Sequence, residues 1–235
     1  ATVARALGLE SCRVCNDFEA VARALPRLRP EDEVDVGPAR IAADGVRAVL
    51  GPGTGLGMAT LVHSGSRWLP LAGEGGHATL APANAEEAAI CAWLRDRYGH
   101  ASAERALSGP GLVDLYLAHA ALAGEPSMPA PAPAEVTAAA VAGDALAARA
   151  LATFFALLGG VAGNLALVSG ARGGIWLAGG ILPRLVERLQ GSAFRERFVA
   201  KGRFREWLDA VPTRLIVQSQ PGLLGLAAWL ADERG

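Results

Sequence analysis

The sequence predicts an α/β fold, and three features of the chain support this. Short apolar runs typical of strands alternate with longer segments whose apolar residues recur every three or four positions, as in amphipathic helices. Glycine-rich segments stand at the ends of several of these runs, where the chain must turn sharply. The chain has 235 residues, of which 51% are hydrophobic, and this is enough for a substantial core. Strands that alternate with helices in this way are typical of α/β architecture.

The first part of the chain is predicted to hold most of the strands. We expect a short helix over residues 2–7 and a strand over 11–15. Asn16 is a suitable N-cap residue, so a second helix is expected directly after it, ending before Pro26. Further strands are expected at 34–36, 46–50, 58–62 and 68–71.

The second part is predicted to be mainly helical. Helices are expected at 86–98, 102–107, 112–122, 137–142, 144–168, 183–189 and 223–230. Between them, a buried strand is expected at 173–178 and a later strand at 215–217. The segment 124–133 is rich in Pro and Ala, which is typical of a solvent-exposed loop.

Four glycines alternate with other residues in one segment near the start of the predicted sheet. This segment reads Gly-Pro-Gly-Thr-Gly-Leu-Gly over residues 51–57 and lies between two apolar runs. Glycines at this density let backbone N–H groups approach a ligand closely, and N–H groups that share one concavity bind anions such as phosphate. Lys and Arg are absent from 51–62, which excludes a Walker A loop, and the glycine spacing does not match the dinucleotide-binding fingerprint. We interpret the segment as a tight turn between antiparallel strands; taken alone, it could equally be a turn that binds nothing.

Charge and cysteine content exclude several classes of protein. The chain carries 22 Lys and Arg against 23 Asp and Glu, so no basic field favours nucleic acid or a membrane surface. Apolar runs are interrupted by Gly, Asn or Ser before they reach the ~20 residues that a membrane span needs, so no span is expected. Cys12, Cys15 and Cys91 make no disulfide framework, which suits the reducing cytoplasm. We expect Cys12 and Cys15 to be core residues rather than half of a zinc site.

Five polar side chains follow predicted strands or lie in glycine-rich loops, and they are the candidate ligand-binding groups. They are Asn16, Asp17, Glu74, His77 and Glu104. Asn16 and Asp17 could be only a helix cap, His77 a core histidine and Glu104 a solvated charge. Glu74 is flanked by glycines, where a carboxylate has little structural use. Carboxylates, an amide and an imidazole suit a ligand rich in hydroxyl groups, because each hydroxyl both donates and accepts hydrogen bonds.

Six motifs that contain these residues occur in one order along the chain. They are Asn16-Asp17-Phe18, the glycine segment 51–57, Gly73-Glu74-Gly75-Gly76-His77, Ser102-Ala103-Glu104-Arg105, the segment 107–112 and Leu177-Ala178-Gly179-Gly180-Ile181. Together with the late segments 201–204 and 221–225, they closely resemble the bacterial glucokinase family. The resemblance implies the actin-like ATPase (ribonuclease H-like) fold and ATP-dependent phosphorylation of glucose to glucose 6-phosphate, with Mg²⁺ as cofactor.

The resemblance also implies roles for individual residues. Asp17 resembles the catalytic base that accepts the proton of the glucose 6-hydroxyl. The groups that resemble the family's sugar ligands are Asn16, Asp17, Glu74, His77 and Glu104. The residues that resemble its second phosphate loop are Gly53, Thr54 and Gly55, and those that resemble the loop beside the adenosine are Gly179 and Gly180. None of these residues is assigned as a metal ligand.

One family motif is missing from the sequence. The first phosphate loop of the family contains Asp-x-Gly-Gly, and no such run occurs here. We therefore expect residues 1–27 to be a remnant of the small lobe, residues 28–217 to form a nearly complete large lobe, and the helix within 218–235 to return to the small lobe. We also expect weak or no activity, because the missing Asp would help to anchor Mg²⁺.

The sequence also bears on two alternative functions and on the assembly state. The neighbouring group of sugar kinases and repressors has a cysteine cluster after its histidine, whereas here only Cys91 follows His77. A non-catalytic sugar-binding module would need only the five polar groups and no nucleotide. The family resemblance suggests a homodimer, with glucose and ATP as the ligands.

Overall fold

The computed structural model describes residues 2–10, 12–38, 45–65, 67–126 and 128–232. Within these ranges the chain forms one six-stranded mixed sheet with helices on both faces. The strands are β1 (Glu33–Asp35), β2 (Arg47–Pro52), β3 (Leu56–Ser64), β4 (Arg67–Gly73), β5 (Gly174–Leu177) and β6 (Thr213–Ile216). The helices are α1 (Thr2–Ala6), α2 (Asp17–Ala24), α3 (Ala85–Tyr98), α4 (Gly109–Leu122), α5 (Pro133–Ala142), α6 (Ala145–Ser169), α7 (Val186–Gln190), α8 (Phe194–Val199), α9 (Arg205–Asp209) and α10 (Pro221–Asp232). The predicted α/β class is confirmed.

The sheet order is β1-β6-β5-β2-β3-β4, and the centre is parallel. Strands β2, β5 and β6 run parallel, while β1, β3 and β4 are antiparallel to their neighbours. In β2 and β3, Gly51 pairs with Gly57, so the glycine segment is a tight turn between antiparallel strands, as predicted. Because the carboxyl ends of β2 and β5 lie side by side, this turn and the segment after β5 meet at one edge of the sheet.

Helices α3 to α9 cover the first face of the sheet, and α6 lies at the centre of that layer. Asp144 caps α6 by accepting a hydrogen bond of 2.7 Å from the Ala147 N–H, and Phe154 and Leu158 are fully buried. Helix α8 crosses α6 closely, since a Cβ on Gly159 would lie 2.1 Å from the Phe194 carbonyl oxygen. By length and hydropathy α6 could also cross a membrane, but here it packs against α4, α5 and α8 as a core helix.

Helices α2 and α10 cover the second face of the sheet. Val21 and Ala22 of α2, with Leu25 directly after it, pack on Val49 and Trp176 of the sheet. Helix α10 lies so close to α2 that a Cβ on Gly225 would be 1.7 Å from the Ala20 carbonyl oxygen, which excludes any side chain there. This contact fixes the position of α2, whose N-terminus reaches the edge of the sheet described above.

Three local predictions were wrong. The described residues 12–15 form no strand, because none of the described strands pairs with them; Cys12 is exposed and Cys15 half-buried rather than in the core. Residues 102–107 form turns instead of a helix, because the N–H groups of Ala103 and Glu104 bond to the carbonyls of Ala78 and Gly76. Helices α8 and α9 were missed, since five or six residues are too few for a periodic pattern.

Candidate functional site

A polar cleft of about 390 Å³ opens at the edge of the sheet where α2, the glycine turn and β5 end. Its lining contains eight of the ten residues predicted from the sequence: Asn16, Asp17, Gly53, Thr54, Gly55, Glu74, Glu104 and Gly179. Segments as far apart as residue 16 and residue 179 therefore meet around one space. The two remaining predicted residues, His77 and Gly180, lie beside it.

The N-terminus of α2 forms one side of this polar cleft. Asn16 is the N-cap residue, and its Oδ1 accepts hydrogen bonds from the N–H groups of Phe18 (2.8 Å) and Glu19 (3.2 Å). The helix-cap interpretation is thus correct for the Asn16 oxygen, and the residue itself is exposed at the cleft. Asp17 is the first helical residue; its side chain is exposed, and its Oδ1 accepts from the Phe18 N–H at 2.9 Å. Acidic side chains are common in the first turn of a helix, where the N-terminus carries a partial positive charge.

The glycine turn forms the floor of the cleft and is held from two directions. Within the turn, the Gly53 N–H donates to the Gly55 carbonyl at 2.8 Å. From outside, the Gly109 N–H at the start of α4 donates to the Gly53 carbonyl at 2.8 Å. Thr54 stands exposed at the tip of the turn. The turn therefore presents a rigid backbone and one hydroxyl to the cleft.

Two carboxylates form the opposite side of the cleft, and an imidazole lies beside them. Nε2 of His77 lies 3.9 Å from Oε2 of Glu74, and its Nδ1 lies 4.0 Å from Oε1 of Glu104. The other carboxylate oxygen of Glu104, Oε2, accepts a hydrogen bond of 2.9 Å from the Leu56 N–H. Glu74 and His77 are exposed, while Glu104 is only 30% exposed. The arrangement suits a ligand that presents several hydroxyl groups.

The segment after β5 joins the polar cleft to two further cavities. Gly179 has a φ of +91°, and a Cβ on it would lie 2.2 Å from the Pro52 carbonyl oxygen, so only glycine fits there. The central cavity, of about 650 Å³, lies between this segment, α2 and the start of α10, and Asp17 and Gly179 line it. The apolar recess, of about 350 Å³, lies between this segment, α4 and α5, and Leu112 and Pro133 line it.

Gly180 and Arg184 line both the central cavity and the apolar recess. Arg184 is exposed, and within the described parts of the chain no ion pair or hydrogen bond holds its guanidinium. Arg184 was not predicted as a site residue. The available signal was its place in the run Gly179-Gly180-Ile181-Leu182-Pro183-Arg184, four residues after the predicted glycine pair.

The described residues contain no group of three or more His, Cys, Asp or Glu side chains that could by themselves hold a metal ion. Mg²⁺ at phosphate-transfer sites usually needs only one or two carboxylates, since substrate phosphates and water complete its coordination. Asp17 supplies an exposed carboxylate beside the glycine turn. The donor set therefore fits a magnesium ion that arrives with a nucleotide.

Several known proteins are similar to this chain along most of its length. The family model described as Glucokinase matches residues 1–233. A glucokinase of Nitrobacter hamburgensis is 48% identical over 222 residues, which cover 94% of this chain and 69% of that protein. A glucokinase of Paramagnetospirillum magneticum is 47% identical over 232 residues, which cover 98% of this chain and 72% of that protein.

A solved structure has the same fold. The crystal structure of a glucokinase from an Antarctic psychrotroph matches with a TM-score of 0.90 and 37% identity, over 97% of this chain and 71% of the other. The resemblance stated from the six motifs is confirmed, and the fold is that of the glucokinase-type sugar kinases. The chain therefore belongs to the glucokinase family, whose members are ATP-dependent hexose kinases.

Proposed function

We propose that the polar cleft binds glucose and that Asp17 accepts the proton of its 6-hydroxyl while the γ-phosphoryl group of ATP is transferred to that oxygen. The observation that carries the proposal is the shared cleft: Asp17, Glu74 and Glu104 surround the same space as the glycine turn. A sugar on the carboxylate side thus lies next to the part of the backbone best suited to bind phosphate. Glucose is chosen over other hexoses by family resemblance, because no single residue dictates the epimer.

The sugar is proposed to be held through several hydroxyl groups at once. The carboxylates of Glu74 and Glu104 accept charge-assisted hydrogen bonds, and the Asn16 amide donates. His77, whose ring nitrogens lie 3.9 Å and 4.0 Å from these carboxylates, binds a further hydroxyl. Holding one ring at several points fixes the position of the 6-hydroxyl. Positioning of this kind accounts for a large part of the acceleration in phosphoryl transfer, whose transition state requires little covalent chemistry from the protein.

The nucleotide is proposed to extend from the glycine turn along Gly179 and Gly180. The N–H groups of Thr54 and Gly55 and the Thr54 hydroxyl bind phosphate oxygens, while the Gly53 N–H stays bonded within the turn; the base lies in the apolar recess. Mg²⁺ bound to the phosphates, with the Asp17 carboxylate nearby, would neutralise charge on the transferred group. The 6-hydroxyl oxygen forms its bond to phosphorus as the bond to the ADP oxygen breaks, and the hydroxyl proton passes to Asp17.

We also propose the division into a small-lobe remnant at residues 1–27, a large lobe at 28–217, and a returning helix within 218–235. The packing of α10 on α2 supports it. A cytoplasmic location is supported by the three free cysteines Cys12, Cys15 and Cys91. The homodimer remains a proposal from resemblance, and sedimentation of the purified chain would test it.

Two measurements on one preparation test the function. Titration calorimetry with glucose and with ATP measures binding, and a coupled assay of ADP release measures turnover. The kinase proposal expects binding of both ligands and glucose-dependent release of ADP, at a low rate because the sequence contains no Asp-x-Gly-Gly run. A sugar-binding module would bind glucose but not ATP. Absence of glucose binding would contradict both the kinase and the sugar-binding module.

A further inference from the structure

The aromatic ring of Phe18 lies in a slot that exists only because two facing residues are glycine. A Cβ on Gly57 would lie 1.9 Å from Cδ2 and 2.1 Å from Cε2 of the Phe18 ring. A Cβ on Gly51 would lie 2.8 Å from Cζ of the same ring. Gly51 and Gly57 are direct partners across β2 and β3, so the two missing side chains leave one continuous space. Any side chain larger than hydrogen at either position would overlap the ring.

The need for glycine at these two positions is not conformational. Neither Gly51 nor Gly57 is among the described glycines with positive φ, so their backbone angles are accessible to other residues. Glycines in the interior of paired strands weaken a sheet, and they commonly mark a close approach by another group. At Gly57 that group is the Phe18 ring, while at Gly51 the backbone carbonyl of Ala178, 2.7 Å from an added Cβ, approaches as closely as the ring does. The ring also packs against the hydrophobic cluster of the second face.

Phe18 connects this slot to the proposed base. It follows Asp17 directly in the first turn of α2, and its N–H donates to the Oδ1 atoms of both Asn16 (2.8 Å) and Asp17 (2.9 Å). The Asp17 side chain is exposed, so no packing of its own holds it in place. Its distance from the glycine turn is therefore set by the backbone, which the partly buried ring next to it anchors to the strands of that turn.

We propose that Phe18 is a positioning residue, which holds Asp17 at the reacting hydroxyl by seating its ring in the slot formed by Gly51 and Gly57. This inference rests on the proposed function, since it requires Asp17 to contact the sugar 6-hydroxyl. A base must lie within hydrogen-bond reach of the proton that it accepts, and an error of about 1 Å can reduce the rate roughly a hundredfold.

The test compares the affinities of the purified chain for glucose and for 6-deoxyglucose, measured by calorimetry. The second sugar lacks only the hydroxyl that Asp17 is proposed to contact. A hydrogen bond to a charged group predicts that the unmodified chain binds glucose about tenfold more tightly. Asp17→Asn should reduce this ratio and so defines the value expected when the charged contact is absent.

Phe18→Ala and Gly57→Ala should both lower the ratio to that of Asp17→Asn. The first variant empties the slot, and the second fills it and displaces the ring. Phe18→Leu keeps apolar volume without the flat ring, and it serves if the alanine variant does not fold. Leu25→Ala is the matched control, because Leu25 is buried in the same cluster but does not touch the slot; it should lose stability and keep the tenfold ratio. Circular dichroism establishes that each variant is folded.

If the role of Phe18 were merely structural, its substitution would weaken the binding of both sugars equally and leave the ratio of the two affinities unchanged. A folded Phe18 or Gly57 variant that keeps the tenfold ratio, while Asp17→Asn loses it, would overturn the inference and leave the proposed function intact. If the unmodified chain binds both sugars equally well, the contact of Asp17 with the 6-hydroxyl fails, and the inference fails with it.

Discussion

The backbone N–H of Leu56 donates a hydrogen bond of 2.9 Å to Oε2 of Glu104, 48 residues further along the chain. The same oxygen would lie 2.5 Å from a Cβ on Gly55, so Gly55 leaves room for the carboxylate. The other oxygen of Glu104 faces His77 at 4.0 Å. One carboxylate therefore joins the glycine turn, proposed to bind phosphate, to the side of the cleft proposed to bind sugar.

Replacing Glu104 should therefore affect both ligands. Glu104→Ala should weaken glucose binding about tenfold through loss of a charge-assisted hydrogen bond, and it should weaken ADP binding because the Leu56 N–H loses its acceptor. Glu104→Gln keeps a neutral acceptor and should have the smaller effect on ADP. Calorimetry measures both affinities. The control is Glu125→Ala, because Glu125 is exposed and lies just after α4, away from the cleft. Unchanged ADP affinity in Glu104→Ala would show that Glu104 does not couple the glycine turn to the sugar side of the cleft.

The role of Asp17 as a base predicts separate effects on binding and chemistry. Asp17→Asn keeps the size of the side chain and should leave glucose bound within roughly tenfold of the original affinity. Turnover should fall by about 10² to 10⁴, the usual contribution of a general base. The experiment uses a version of the chain that carries the family's first phosphate loop and a coupled assay of ADP release. Turnover that survives in the variant would remove Asp17 from this role.

Arg184 should contribute to nucleotide binding through charge. It lies between the central cavity and the apolar recess, next to Gly180. Arg184→Gln should weaken the binding of ATP and ADP about three- to tenfold and leave the binding of adenosine unaffected, because only the phosphates carry charge. The difference in nucleotide affinity between the variant and the unmodified chain should become smaller at high salt. Arg67→Gln, at an exposed site on the edge strand β4, is the control, and an equal loss for adenosine would place the contact at the base instead.

A buried ion pair between α3 and α8 should be important for stability. The Arg197 guanidinium forms a paired contact with both carboxylate oxygens of Glu87, and the Ala83 N–H donates to the same carboxylate at 2.7 Å. Glu87→Gln should lower the free energy of unfolding by about 3 kcal/mol, since it leaves a largely buried guanidinium without its charge partner. Urea unfolding measures this, and the exposed Glu187→Gln on α7 should stay within about 0.5 kcal/mol of the original.

The same carboxylate predicts a response to acid. Burial alone would raise the pKa of Glu87, but the hydrogen bonds from Arg197 and the Ala83 N–H outweigh burial and hold the pKa below its ordinary value of 4.5. The unfolded chain therefore takes up a proton at higher pH than the folded chain does. The stabilisation is complete above pH 4.5 and is lost as the pH falls through the folded pKa, a loss that Glu87→Gln should no longer show.

His119 predicts a second pH dependence nearer neutrality. The ring is buried, its Nε2 lies 2.8 Å from Thr153 Oγ1, and its Nδ1 lies 3.3 Å from Glu86 Oε1. Burial lowers the pKa of His119 below its ordinary value of 6.5; the Glu86 carboxylate opposes this, and Arg149 adds to it. The unfolded chain thus binds the proton first, so the free energy of unfolding should fall as pH drops below 6.5.

The measurement for His119 is the free energy of unfolding in urea at several pH values between about 7.5 and 5.5, a window around the ordinary histidine pKa. His119→Gln should flatten the dependence, while His100→Gln, at an exposed ring, should keep it. An equal slope in the chain and in His119→Gln would show that this ring does not titrate on unfolding.

The structural predictions from sequence were most accurate where local chemistry decides the structure. Asn16 caps α2 through hydrogen bonds to residues two and three positions away, and the alternating glycines fold into a turn through contacts within seven residues. Prediction was wrong where the outcome depends on distant partners. Residues 102–107 look helical by themselves, yet their N–H groups bond to Gly76 and Ala78. Arg184 was missed because an exposed arginine looks the same in sequence whether or not a cavity adjoins it.

By itself, the order of residue types determined the α/β class, the glycine turn and the family, and it indicated a set of polar groups as candidate ligand-binding residues. These depend on backbone preferences and on motifs that span a few residues. Only the tertiary structure decided that Glu104 holds the turn through Leu56, that Phe18 fills the space above Gly51 and Gly57, and that residues 12–15 form no strand. Each of these depends on which atoms from remote segments come within a few ångströms of one another, and the local sequence does not specify such distances.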